Sequence, residues 1–229
     1  MTDAAQQQPK KHKETFLELF SYGFLVTRRL FLPVTGLVLA FALALDTTSQ
    51  RITLFDGFFP PEPWYLQPGH WLTTGHFMVP VIFFVSMLTN RAYGAGYAFA
   101  QMVAGWTVVI LLIAFLYPAI ENGLPIPPLP TGRVFTAFLV ALFASQIVNI
   151  TVFDQVRGRP WWRAPLYSAL FAGFTFCVLY YPIAKAGIDP WTHQMTVNIA
   201  VTSFMAFLML VPYALLRPWV RPLPGFGGA

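Results

Sequence analysis

Gln101, Ser145, Gln146, Asn149, Thr151, Thr175, Asn198, Thr202 and Ser203 are uncharged polar residues set inside otherwise apolar stretches. Gln146 and Asn149 are three residues apart and Asn198 and Thr202 four apart, so on helices each pair shares a face. Amides and hydroxyls in lipid need partners. Two arrangements supply them: hydrogen bonds between helices, or a polar cavity whose ligand offers matching donors and acceptors. Spacing alone leaves both open. Proton or ion coupling by a carboxylate would need an acid deep in an apolar stretch, and none lies there; Asp154 falls at a boundary, where it is expected to face Arg157 and Arg159.

Other chemistry is sparse. No phosphate-binding glycine loop, paired-histidine motif or nucleophile elbow is present, so no enzyme and no cofactor are expected. His70 and His76 flank the start of one apolar stretch and could ligate a metal or a pigment magnesium, but no acid stands at a readable spacing; interfacial histidines without that role are the plainer reading. His12 and His193 lie in a polar tail and at the start of the last stretch. The single cysteine, Cys177, sits among Phe174, Phe176, Val178 and Leu179, which excludes an internal disulfide and fits a small packed hydrophobe.

The 229 residues are 56% hydrophobic and only 10% charged, against about 25% charged in soluble domains, so the chain reads as an all-α polytopic membrane protein. Six segments approach or meet the roughly 20 residues needed to cross the hydrocarbon core: 30–45, 72–89, 97–120, 134–153, 165–184 and 197–216. Prolines at 33, 80, 118, 182 and 212 are tolerable in bundled membrane helices, with kinks expected at Pro80 and Pro212. With the N-terminus inside, eleven basic residues (Lys10, Lys11, Lys13, Arg28, Arg29, Arg91, Arg157, Arg159, Arg163, Arg217, Arg221) fall on the cytoplasmic side. Only Arg51, Arg133 and Lys185 fall outside. The positive-inside rule therefore puts both termini in the cytoplasm, which requires an even number of spans.

The expected organisation is a polar tail over 1–13, an amphipathic interfacial helix over 14–29 carrying Phe16, Leu19, Phe20 and Gly23 on one face, a six-helix membrane domain over 30–217, and a Pro/Gly tail over 218–229. Arg28 and Arg29 superficially match a twin-arginine export signal, but paired arginines at the inner boundary anchor the first span by charge, and cleavage is not expected. The loop over 46–71, rich in proline and aromatics, is expected at the headgroup level, and the proline-rich 121–132 loop as a stiff spacer. The net charge of +5 is gathered beside apolar segments, so the expected partners are the bilayer and its anionic cytoplasmic headgroups rather than nucleic acid.

Longer stretches carry a family likeness. The run from Pro80 through Asn90, Arg91, Ala92, Tyr93 and Gly94 resembles the proline-aromatic span of the queuosine-precursor transporters, also called vitamin-uptake transporters. Ser145 to Asp154, then Arg157, then Trp161, Trp162, Arg163, Ala164, Pro165 and Ser168, is similar to that family's fourth span, cytoplasmic loop and fifth-span entry. With Pro212 and Tyr213 the resemblance covers about 72–217. It implies six helices and uptake of a modified-purine precursor through the inner membrane. It also implies that the family's interior acidic positions fall on Met87, Asn149, Phe176 and Asn198, and its last-span lysine on Thr202, while Arg91, Gln146, Phe153 and Arg157 are retained. Methionine and phenylalanine cannot accept a guanine-like edge, and asparagine does so without charge.

Two functions stay open on this basis. One is a divergent transporter or solute-binding protein for a neutral nucleobase- or vitamin-like solute, with Gln146, Asn149, Phe153, Asn198 and Thr202 as binding residues. The other is a structural or assembly subunit of a larger membrane complex that reuses the scaffold without transport; membrane-protein partners or a homo-oligomer fit either.

Overall fold

The computed structural model describes residues 16–47, 50–52, 67, 72–116, 132–187 and 191–222. The 1–13 tail, most of the 46–71 loop with His70, the 121–131 stretch and the end of the chain from 223 lie outside these. The described chain is helical apart from one isolated antiparallel bridge between Arg51 and Thr73. Its helices are α1 (Phe16–Asp46), α2 (Thr74–Tyr93), α3 (Ala95–Leu111), α4 (Gly132–Gln155), α5 (Arg163–Lys185), α6 (Trp191–Leu208) and α7 (Leu210–Leu216), with a π-helical turn, Leu112–Leu116, extending α3.

Helices α6 and α7 form one span interrupted at Met209. Pro212 donates no backbone hydrogen bond and its ring crowds the carbonyl four residues earlier, so the ladder breaks there and resumes with Tyr213 donating to Met209 at 3.1 Å. At Pro80 the helix continues uninterrupted, as it does at Pro33 and Pro182.

Five of the six spans are long and apolar enough to cross a membrane by themselves: α1, α3 with its π turn, α4, α5 and α6–α7. The sixth, α2, carries His76, Ser86, Thr89, Asn90 and Arg91 within 20 residues. It can do so because it faces protein. Eleven of its 20 residues are buried, and it touches α1, α3, α4, α5 and α6, which makes it the central helix of the bundle.

At the N-terminal end the structure differs from the sequence expectation. The interfacial helix over 14–29 and the span from 30 are not separate: α1 is one helix of 31 residues. No strong breaker falls between them, since Gly23 costs only about 1 kcal/mol in a helix interior. At 1.5 Å per residue α1 is about 46 Å long, some 16 Å more than the hydrocarbon core. The excess emerges beyond Arg28 and Arg29, where Phe20, Tyr22 and Phe24 are exposed. The amphipathic segment is therefore the protruding first part of α1.

The closest helix pair is α4 with α5. Ala137, Ala141, Ser145 and Asn149 recur every four residues on α4 and are buried, while Gly173 and Cys177 of α5 meet Thr202 of α6. Small side chains at that period let helix backbones approach in lipid, where no hydrophobic force drives association. Gly94, at φ 84°, needs the conformation glycine adopts freely, and this permits α2 to turn into α3 with no intervening loop.

The basic residues meet at one end. Arg91 Nε donates to the Val220 carbonyl at 3.0 Å, Arg157 donates to the Asn90 carbonyl at 2.9 Å, and the Arg217 guanidinium lies 5.7 Å from the Trp161 ring centre. Arg133 marks the opposite end, where its Nε donates to the Ile183 carbonyl at 2.7 Å. Both described chain ends therefore lie on the arginine-rich side of the bundle, the side that the positive-inside rule assigns to the cytoplasm.

An added Cβ at Gly173 would stand 3.0 Å from the Thr202 Cβ, an atom fixed to its backbone. Gly173→Ala is expected to destabilise the bundle by about 1–2 kcal/mol, overpacking outweighing the helix-propensity gain. At Gly96 an added Cβ meets nothing within 4 Å, and Gly96→Ala should be neutral or stabilising. Thermal unfolding in detergent compares the two.

Candidate solute path

All five residues singled out from the sequence are buried, but they do not meet at one point. Gln146, Asn149 and Phe153 lie along one face of α4, and Asn198 and Thr202 along one face of α6. Asn149 is six residues from the cytoplasmic end of α4, and Asn198 is seven from the outer end of α6, or about 9 Å and 10 Å along the axis. The two asparagines therefore occupy different layers of the bundle, on the order of 15 Å apart along the membrane normal.

The inner layer is built on α2 and α4. Asn90, fully buried, donates its side-chain amide to the Ile150 carbonyl at 2.9 Å, and Arg157 closes on both the Asn90 carbonyl and its side-chain oxygen. Arg157 also pairs with Asp154 at 3.0 Å, as expected, and lies over the Phe153 ring at 5.7 Å. Gln146, one turn deeper, accepts from the Trp106 indole of α3. Between them Asn149 has neither amide nitrogen nor amide oxygen in a hydrogen bond.

The outer layer is built on α2, α5 and α6. Tyr181 Oη lies 3.4 Å from His76 Nε2, and Asn198 stands beside the same tyrosine without reaching hydrogen-bond geometry. Both side-chain atoms of Asn198 are buried and unpartnered. Thr202 turns its hydroxyl back to the Asn198 carbonyl at 2.9 Å and packs against Gly173 and Cys177. Thr202 therefore closes the layer from below and offers no free polar group.

Buried side-chain polar atoms are nearly always paired, and each one left without a partner costs on the order of 1–3 kcal/mol. Two asparagines with every side-chain polar atom orphaned are consequently expensive in a bundle that pairs most of its other interior amides. Met87 and Phe176, by contrast, are packing residues. The Ser168 hydroxyl donates to the Met87 sulfur at 3.1 Å, and the Phe176 ring stacks on Tyr180 with centroids 5.5 Å apart.

Below Asn149, Arg91, Phe153, Arg157, Gly158, Trp161, Ala164 and Tyr213 line a cleft of about 260 Å³ including its open mouth. Most of that is the open mouth, so the enclosed space is far below the roughly 300 Å³ at which small-molecule pockets begin. The cytoplasmic end is therefore nearly closed in this conformation, with Arg157 bridging α2 to the α4–α5 loop and Arg91 bridging α2 to the chain after α7. Asn90, Trp106, Trp161, Tyr213, His76 and Tyr181 were not in the sequence-derived site. Asn90, Trp161 and Tyr213, within the stretches that carry the family resemblance, and His76, weighed as a ligand, carried a signal that could have added them; Trp106 and Tyr181 carried none.

The described chain is thus a six-span membrane bundle with two buried polar layers. Residues 73–216 match the family described as "Putative vitamin uptake transporter". The chain is also 32% identical over 159 residues to the queuosine precursor transporter of Escherichia coli (strain K12), an alignment covering 66% of this chain and 72% of that relative. The chain belongs to this vitamin uptake transporter family, and its role is transporter-like. No solved structure matches it.

Arg157 gives a direct test of the closed mouth. Arg157→Met removes the bonds to Asn90 and is expected to lower stability by about 1–3 kcal/mol, since it strands the buried Asn90 side-chain oxygen. Asp154→Asn should cost under about 1 kcal/mol, because Asp154 is half exposed and such pairs are weak. Chemical or thermal unfolding of both variants ranks them.

Proposed function

We propose that the protein takes up a small, uncharged, flat heterocyclic solute of the nucleobase class across the inner membrane, passing it between two amide stations, Asn198 and then Asn149. The observation that carries this is the set of orphaned side-chain atoms on those two asparagines. A primary amide offers two donors and an oxygen acceptor, which matches the adjacent donors and acceptors on the edge of a purine-like ring. One such ring cannot span about 15 Å, so the stations are occupied in succession. The curated relative's name, a queuosine precursor transporter, points to the same solute class. Neutral amides at positions where the family resemblance implies acids favour a neutral member of that class, because an uncharged solute needs no counter-ion in lipid. Exposed aromatics on α1, the feature that most invites a structural-subunit reading, are accounted for by lipid and headgroup contact.

The test separates binding from folding. Asn149→Leu removes two unpaired polar atoms, so the variant should be as stable as the unaltered protein or more so by about 1–3 kcal/mol. It should nevertheless lose the thermal stabilisation that uncharged purine analogues give the unaltered protein. Retained stabilisation by the same analogues would remove Asn149 from the path.

A further inference from the structure

We infer that His76 is the proton site of this transporter: it binds a proton from the outer side and, in doing so, releases the N-terminal cap of the central helix above the Asn198 station. The inference rests on the transport reading for its consequence, and on the geometry of α2 for its mechanism.

His76 occupies the third position of α2, after the N-cap Thr73, in a capping box. Its Nδ1 lies 3.1 Å from the Thr73 amide nitrogen and accepts that N–H. An acceptor nitrogen carries no proton, so the neutral ring holds its hydrogen on Nε2. Nε2 faces the Tyr181 hydroxyl at 3.4 Å, and Tyr181 stands beside Asn198. One imidazole thus touches the cap of the central helix with one nitrogen and the outer polar layer with the other.

Protonation changes only the first contact. Nδ1–H can no longer accept from Thr73 and can donate only to the Thr73 hydroxyl at 3.0 Å or carbonyl at 3.3 Å. The Thr73 amide is then stranded at the start of α2, next to its bridge with Arg51, while the carbonyl gains a competitor for the bond it accepts from the His76 amide. The Nε2–H bond to Tyr181 survives. A proton therefore loosens the outer end of α2 and leaves the ring tethered to the solute station.

The surroundings suit the role. His76 is half-buried at the outer end of the bundle. The titratable and charged groups at that end on the packed elements are Asp46 of α1, Arg51, Arg133 of α4, Tyr180, Tyr181 and Lys185 of α5, and His193 of α6. Of these Tyr181 is the contact of Nε2. Among the described residues no carboxylate lies inside the membrane layers, so a proton-coupled cycle has His76 as its candidate.

The variant H76Q separates the roles, because Thr-x-x-Gln is itself a capping box but does not titrate. In the purified unaltered protein, ring ¹⁵N shifts of His76, assigned by their loss in H76Q, should show Nδ1 unprotonated at pH 7.5 and both nitrogens protonated under acid. Amide exchange at 73–77, corrected for the intrinsic effect of pH, should rise roughly five- to tenfold on acidification and stay flat in H76Q. In proteoliposomes, external acid should stimulate purine-analogue uptake by the unaltered protein but not by H76Q. A proton on Nδ1 at neutral pH, protection that ignores pH, or acid stimulation that persists in H76Q would each overturn the inference. If no analogue is transported while ring titration and exchange behave as stated, the transport reading fails and the proton site stands.

Discussion

The constraint on which the structure depends is that a helix at the centre of a lipid-embedded bundle finds no water for its polar groups. Every polar side chain on α2 must be met by another helix or by something that passes through. Asn90 is met by α4 and the α4–α5 loop, Arg91 by the chain after α7, Ser86 by its own backbone, and His76 by Thr73 and Tyr181. These contacts tie α2 to α4, α5 and the chain after α7 and divide the interior into an inner and an outer polar layer. Asn149 and Asn198 are the members of those layers with side chains left wholly unmet.

That contrast gives the asparagines their meaning. Gln146 and Asn149 are one turn apart on α4 and equally buried, yet Gln146 has the Trp106 indole as partner and Asn149 has none. A protein that tolerates two costly orphans next to well-paired amides retains them for contact with something else. The same comparison makes Met87 and Phe176 part of the wall.

Much of the fold was legible in the sequence because hydropathy and basic-residue placement are enforced by the bilayer itself. Six spans, the gathering of Arg91, Arg157 and Arg217 at one end, and the pairing of Asp154 with Arg157 all follow from that. The continuity of α1 was not legible: an amphipathic pattern shows which face is polar but does not mark where a helix ends, and nothing between Gly23 and Pro33 forces a break. The site was legible in residue type and not in depth. Spacing put Asn198 and Thr202 on one face, but only the packing of Gly173 and Cys177 shows that Thr202 is spent on its own helix while Asn198 is free. His76 was masked for a different reason. Its partner Tyr181 is 105 residues away, and its bond to Thr73 depends on where α2 starts.

The account stands on Asn149 and Asn198 being solute contacts rather than costly packing. The side-chain amide ¹⁵N–¹H resonances of the two asparagines, followed as an uncharged purine analogue is added to the purified protein, report on this directly. Saturable shifts of both resonances, with those of the Gln101 side-chain amide unmoved, are the predicted result. Resonances that stay fixed through saturating analogue, in a protein that binds it elsewhere or not at all, would contradict it.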